Sequence, residues 1–81
     1  MRATMQQIHE AVRAAGLWGR LVQGRIPVGE SVRVSGYEPE PFEAVILGAT
    51  DPSGWHFAVL REDGRVVRGV HVTSIIREER R

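Results

Sequence analysis

The chain has no cysteine and no lysine, no long apolar run, and no glycine cluster of the kind that cradles phosphate. Without cysteine, disulfides, thiolate nucleophiles and thiolate metal ligands are all excluded. Without lysine, each of the eleven basic side chains is a guanidinium. That suits bidentate contacts to phosphate or carboxylate, and a GC-rich coding sequence produces the same bias. No apolar stretch approaches a membrane span, and the opening MRATMQQIHEAVRAAGLWG is too polar for a secretory leader, so a cytoplasmic chain with no membrane partner is expected. Gly16, Gly19 and Gly24 lack the spacings of a P-loop or a dinucleotide fold. The net charge of +1 argues against a strong nonspecific hold on nucleic acid and leaves room only for a local patch.

What is present suits one small folded domain, 1–81. Its hydrophobic fraction of 42% and charged fraction of 26% are ordinary for a globular protein, and a core this small often gains further burial by self-association. Thr4 and Gln7 have the spacing of a capping box. Met5, Ile8, Val12 and Ala15 then form one apolar stripe, and Gly16 is placed to stop the helix. An amphipathic helix over 4–16 is therefore expected, followed by a connector over 17–27. After Pro27 the period changes from helical to alternating. VGESVRVSG reads as a first strand, and the loop YEPEPFE has prolines that forbid ladder hydrogen bonds. Strands are expected at 43–49, 55–61 and 65–71, with a short turn and a brief fifth strand in VTSIIRE. Residues 78–81 read as a frayed, solvated tail.

Asp63-Gly64 is a strong hairpin signal. As a two-residue loop it pairs Leu60 with Val67, Val59 with Arg68, Phe57 with Val70 and His56 with His71. Trp55, Phe57, Val59, Val66, Val70 and Val72 then face the interior. Ala58, Leu60 and Val67 form a second, thinner apolar flank with the histidines, which either the helix or a second chain must cover.

The succession VGESVRV, PFEAVIL, WHFAVLREDGR, VTSII over 28–77 resembles the Tudor and SH3-like barrels. With a helix in front, it also resembles the bacterial Sm-like proteins of the Hfq kind. The resemblance implies a mainly β, α+β fold: a five-stranded SH3-like or Sm-like small antiparallel barrel preceded by one helix. Of the positions that build the methyl-reader aromatic cage, only Phe42 is aromatic here, with Ser35, Leu60 and Asp63 at others. Gly69 and Val70 stand where the Sm-like RNA binders carry a basic residue and a histidine. What carries over is architecture rather than ligand.

His56 and His71 face each other, but no further ligands stand at useful spacing, so neither a metal nor a cofactor is expected. Glu38, Glu40 and Glu43 on the proline loop read as solvating groups. The constellation with a binding mechanism is Arg33, Arg61, Arg65 and Arg68 with Tyr37, Phe42 and Trp55, guanidiniums for phosphates and rings for bases. Trp18, Leu60 and Val67 are the candidate interface residues. The leading expectation is a non-catalytic module binding RNA or DNA. The alternative is a protein-interaction or self-associating adaptor, possible as a homo-oligomer, and an enzyme is conceivable only as an oligomer.

Overall fold

The computed structural model describes residues 1–77. Thr4 opens helix α1, Met5–Ala14, with the expected reciprocal box: its hydroxyl accepts the Gln7 N–H at 3.1 Å, and the Gln7 side-chain oxygen accepts the Thr4 N–H at 2.8 Å. At the other end the Leu17 N–H donates to the Val12 carbonyl at 2.9 Å and the Gly16 N–H to the Arg13 carbonyl at 3.0 Å, a Schellman closure. The Arg68 guanidinium adds a hydrogen bond to the Ala15 carbonyl, at the negative end of the helix.

Five antiparallel strands follow: β1 Ser31–Val34, β2 Phe42–Ala49, β3 His56–Arg61, β4 Val66–His71 and, after a single 3-10 turn at Val72–Ser74, β5 Ile75–Arg77. They form one sheet in the order β4-β3-β2-β1-β5. Among the described residues no ladder joins β4 to β5, so the sheet is not closed; of the closed or partly open barrel expected, the structure shows the five antiparallel strands and the preceding helix. A side chain bridges from the β1 end to β4 instead. The Tyr37 hydroxyl, in the β1–β2 loop, donates to the Gly69 carbonyl at 3.1 Å and accepts the His71 N–H at 2.8 Å, serving two backbone groups of β4, an edge strand among the described residues. The expected tail, 78–81, lies outside the described residues.

The β3–β4 register corrects the expected one near the turn. The Arg61 N–H donates to the Arg65 carbonyl at 2.8 Å and the Gly64 N–H to the Arg61 carbonyl at 3.0 Å, so the loop has three residues, Glu62, Asp63 and Gly64, rather than two. Gly64, at φ 90°, takes the left-handed position that ends such a loop. Leu60 therefore faces Val66, and Val59 faces Val67. A bulge then restores the expected pairs Phe57 with Val70 and His56 with His71, and Gly69, at φ 68°, is the residue that can sit in it. Val66 and Val67 thus exchange faces relative to the sequence reading. Trp55, expected inside, precedes β3 and is exposed.

Both sides of the sheet are apolar, and both are covered within one chain. On the concave side Ile26, Val32, Val34, Phe42, Ile46, Phe57, Val59, Val70 and Ile75 form one buried cluster, with Val67 at its margin. On the other side Val45, Leu47, Ala58 and Leu60 meet Ile8, Val12 and Leu17, with Val66 at the margin. The helix is the lid that the second flank required. Each fully buried aliphatic side chain here contributes about 1.5–3 kcal/mol by removal from water. The connector is a strap across the end of β2. Val22 and Ala49 exchange backbone hydrogen bonds at 2.9 and 3.0 Å, and Ile26 enters the concave cluster. Between them Gly24 lies against the ring of Phe57, where an added Cβ would stand 2.6 Å from Cε2.

Phe57 is fully buried and cannot retreat, so Gly24→Ala is expected to lower the unfolding free energy by about 1–3 kcal/mol, the usual range for overpacking. Thr4→Ala, which removes only the cap, is expected to cost about 1 kcal/mol. Urea denaturation monitored by far-UV circular dichroism measures both.

Candidate functional site

Three of the expected arginines do converge. Arg61 lies over the Phe42 ring, 4.4 Å from its centroid, and Phe42 itself is buried in the concave cluster. Arg33 and Arg65 flank it across an open groove of about 810 Å³ that Glu38, Glu40, Glu43 and Glu62 line together with Arg33 and Arg61. The carboxylates decide its character. Arg61 is hydrogen-bonded to Glu38 and stands 3.4 Å from Asp63; Arg65 pairs with Asp63 at 3.1 Å; Arg33 lies 3.6 Å from Glu43. The Asp63 carboxyl is held below its ordinary range, first by the Arg65 backbone N–H and then by its side chain. A phosphate arriving here would have to displace an internal partner from every guanidinium. The cluster braces the proline loop against the β3–β4 hairpin.

The other expected residues are dispersed. Arg68 serves the helix C-terminus, and Leu60 and Val67 belong to the two cores. Tyr37 is 42% exposed, but its hydroxyl is tied to β4. Trp18 is 58% exposed, with the Arg13 guanidinium 5.1 Å from its ring centroid and the edge of His9 at 5.9 Å.

A second constellation, which the sequence reading did not assemble, surrounds Trp55. The residue is 43% exposed; the Arg25 guanidinium sits 4.8 Å from the ring centroid, and the His71 ring is nearly parallel to the indole, 20° apart in plane at 6.1 Å. His71 is held in place from three directions. Its N–H donates to Tyr37, its Nδ1 accepts the Thr73 N–H at 3.2 Å, and His56 meets it edge to face at 5.1 Å. His56 is positioned in turn by Asp51, whose Oδ1 accepts the His56 backbone N–H at 2.8 Å and stands 3.6 Å from its Nδ1. The result is a stacked pair of rings, His71 and Trp55, with the Arg25 guanidinium over the indole and the Tyr37 hydroxyl holding the His71 backbone.

The electrostatics separate the two constellations. Among the described residues Arg13, Arg20 and Arg25 pair with no carboxylate, whereas Arg33, Arg61, Arg65 and Arg77 all do. The signal was present in the sequence as an absence: between Glu10 and Glu30 there are three arginines and no acidic residue. Exposed rings beside uncompensated guanidiniums can stack on planar groups and attract anions. Among the described residues no group of three His, Asp or Glu side chains is placed to hold a metal ion, and no helix is long and apolar enough to cross a membrane.

Asp51 supports the platform and gives it an acid limit. The Ser53 hydroxyl, followed by the His56 N–H, holds the Asp51 carboxyl below its ordinary range. The stabilisation is therefore complete above about pH 4, the unfolded value, and is lost as pH falls through the lower folded value. Asp51→Asn is expected to lower Tm at neutral pH and to flatten the fall of Tm with acid below about pH 4; thermal unfolding across that range measures it. No protein-family model, curated protein or solved structure matches the chain.

Proposed function

We propose that this chain is a non-catalytic module that binds single-stranded RNA or DNA, stacking a base on Trp55 and holding the adjoining phosphate with Arg25. One observation carries the reading: among the described residues, the arginines left without carboxylate partners include the two whose guanidiniums lie on the exposed tryptophans. In the free chain Arg25 rests on the indole. A phosphate draws the guanidinium off as a stronger, charge-assisted partner, and a base takes the face it vacates. His71 backs the indole and the Tyr37 ring extends the platform, an arrangement tolerant of base identity because every base has a π-face.

The curl that brings Tyr37 to β4 supports a small-barrel architecture of SH3-like or Sm-like type, in keeping with the strand pattern. Self-association lost its main motive once α1 covered the second apolar flank. With a net charge of only +1, affinity rests on this local patch and stays modest.

Fluorescence anisotropy with single-stranded oligonucleotides in low salt tests the proposal. Trp55→Ala is expected to weaken binding by about 1–3 kcal/mol, the range for one stacked base. Arg25→Ala should weaken it and reduce the slope of log K against log salt by about 0.7, one phosphate contact on a single strand. Arg33→Ala and Arg65→Ala should leave affinity within about two-fold, because surface guanidiniums already paired with carboxylates add little. Absence of binding at low salt, or a Trp55→Ala variant that binds like the parent, overturns the reading.

A further inference from the structure

We infer that the connector between the two tryptophans is a track for the bound strand, with a second stacking station at Trp18. This rests on the single-strand reading above and extends it from one platform to a path. The two ends of the connector carry the same trio. At one end stands Trp18 with Arg13 over its ring and His9 at its edge; at the other stands Trp55 with Arg25 over its ring and His71 alongside. The chain between them is sided. Leu17 and Ile26 are buried, Leu21 packs against the helix-side core and Gly24 against Phe57, while Trp18, Arg20, Val22, Gln23 and Arg25 are exposed. The segment itself contributes no carboxylate, because no acidic residue occurs between Glu10 and Glu30.

The geometry bounds the ligand. Trp18 and Arg25 are seven residues apart in the chain, and a fully extended segment of that length reaches about 24 Å. The hydrogen bond from the Arg20 N–H to the Leu17 carbonyl, at 2.9 Å, folds its first residues into a turn and shortens the distance further. Such a span lies within the several-nucleotide sites that small barrels occupy, about 4–16 nucleotides. Each trio alone offers one stacking face and one or two cations. A strand that reaches both engages the second intramolecularly, at the high effective concentration the first contact confers.

The test is an affinity series with homopolymers from about 2 to about 12 nucleotides, using the full chain, Trp18→Ala, Arg20→Ala and Trp55→Phe. For the parent, affinity is expected to rise by about ten-fold or more at the length that first bridges the trios, beyond the smooth gain from added charge. Trp18→Ala should abolish that step and bind the shortest strands as the parent does. Arg20→Ala should weaken only the bridging lengths. In Trp55→Phe the remaining indole is Trp18, and its fluorescence should be quenched by bridging strands and not by the shortest. A length dependence unchanged by Trp18→Ala, with Trp18 fluorescence indifferent to strand length, overturns the track and leaves the Trp55 site standing. Failure of the parent to bind any length overturns the single-strand reading itself.

Discussion

A sheet with apolar groups on both sides must be covered twice, and in this chain each cover is a segment that precedes the sheet. Helix α1 closes the face that carries Val45, Leu47, Ala58 and Leu60, and the strap from Leu21 to Ile26 closes the end of the concave cluster. Neither cover works alone. The helix hands directly to the strap through the Schellman turn at Gly16, so Leu17 can enter one core while Ile26, nine residues on, enters the other. Leu21, Gly24 and Ile26 pack inward, and Val22, Gln23 and Arg25 between them are exposed. The segment that covers the core thus leaves Trp18, Arg20 and Arg25 exposed, and the proposed ligand surface draws on the same segment.

The arginines divide by where the acids are. Arg33, Arg61 and Arg65 meet Glu43, Glu38 and Asp63, and they become braces. Arg13 on the helix and Arg25 on the strap pair with no carboxylate among the described residues and settle on aromatic faces instead. A cation on an indole is worth less than a partly desolvated ion pair, about 0.5–1 kcal/mol at exposed sites, so it yields readily to an arriving phosphate. Mobilising Arg61 would cost far more, since its side chain is hydrogen-bonded to Glu38 above a buried ring. The chemistry of one residue type therefore differs across the molecule, according to the partner that holds it in the free state.

Much of the fold was legible in the sequence because its signals are local. The Thr4–Gln7 box, the stop at Gly16, the change of period after Pro27 and the prolines of the first loop each act within a few residues. The register failed where two local solutions compete. Asp-Gly closes a two-residue loop or ends a three-residue one equally well, and the choice moves every following side chain to the other face. The candidate arginines were harder to read for a different reason. Arg33, Arg61 and Arg65 were grouped by residue type, but the pairing of Arg61 with Glu38, 23 residues away in sequence, decides whether its charge is available, and strand alternation says nothing of it. Trp55 was assigned to the interior by the same alternation. It escapes because the strand begins one residue later, leaving the indole on the turn.

The correction within the hairpin also explains why the Trp55 platform exists. A three-residue loop at Glu62–Gly64 by itself would carry its one-residue offset along the entire ladder and set His56 opposite Val70. Val70 would then leave the concave core and His71 would point into it. The bulge at Gly69 cancels the offset, returning Val70 to the core and His71 to the outer surface opposite His56. In the same place the Gly69 carbonyl receives the Tyr37 hydroxyl, which also holds the His71 N–H. A residue with a side chain at this position would strain a backbone at φ 68°, and the strain would fall on the one point that fixes both the core register and the ring against which Trp55 rests. The surface proposed to meet the ligand is thus positioned by the same irregularity that lets β4 serve the core.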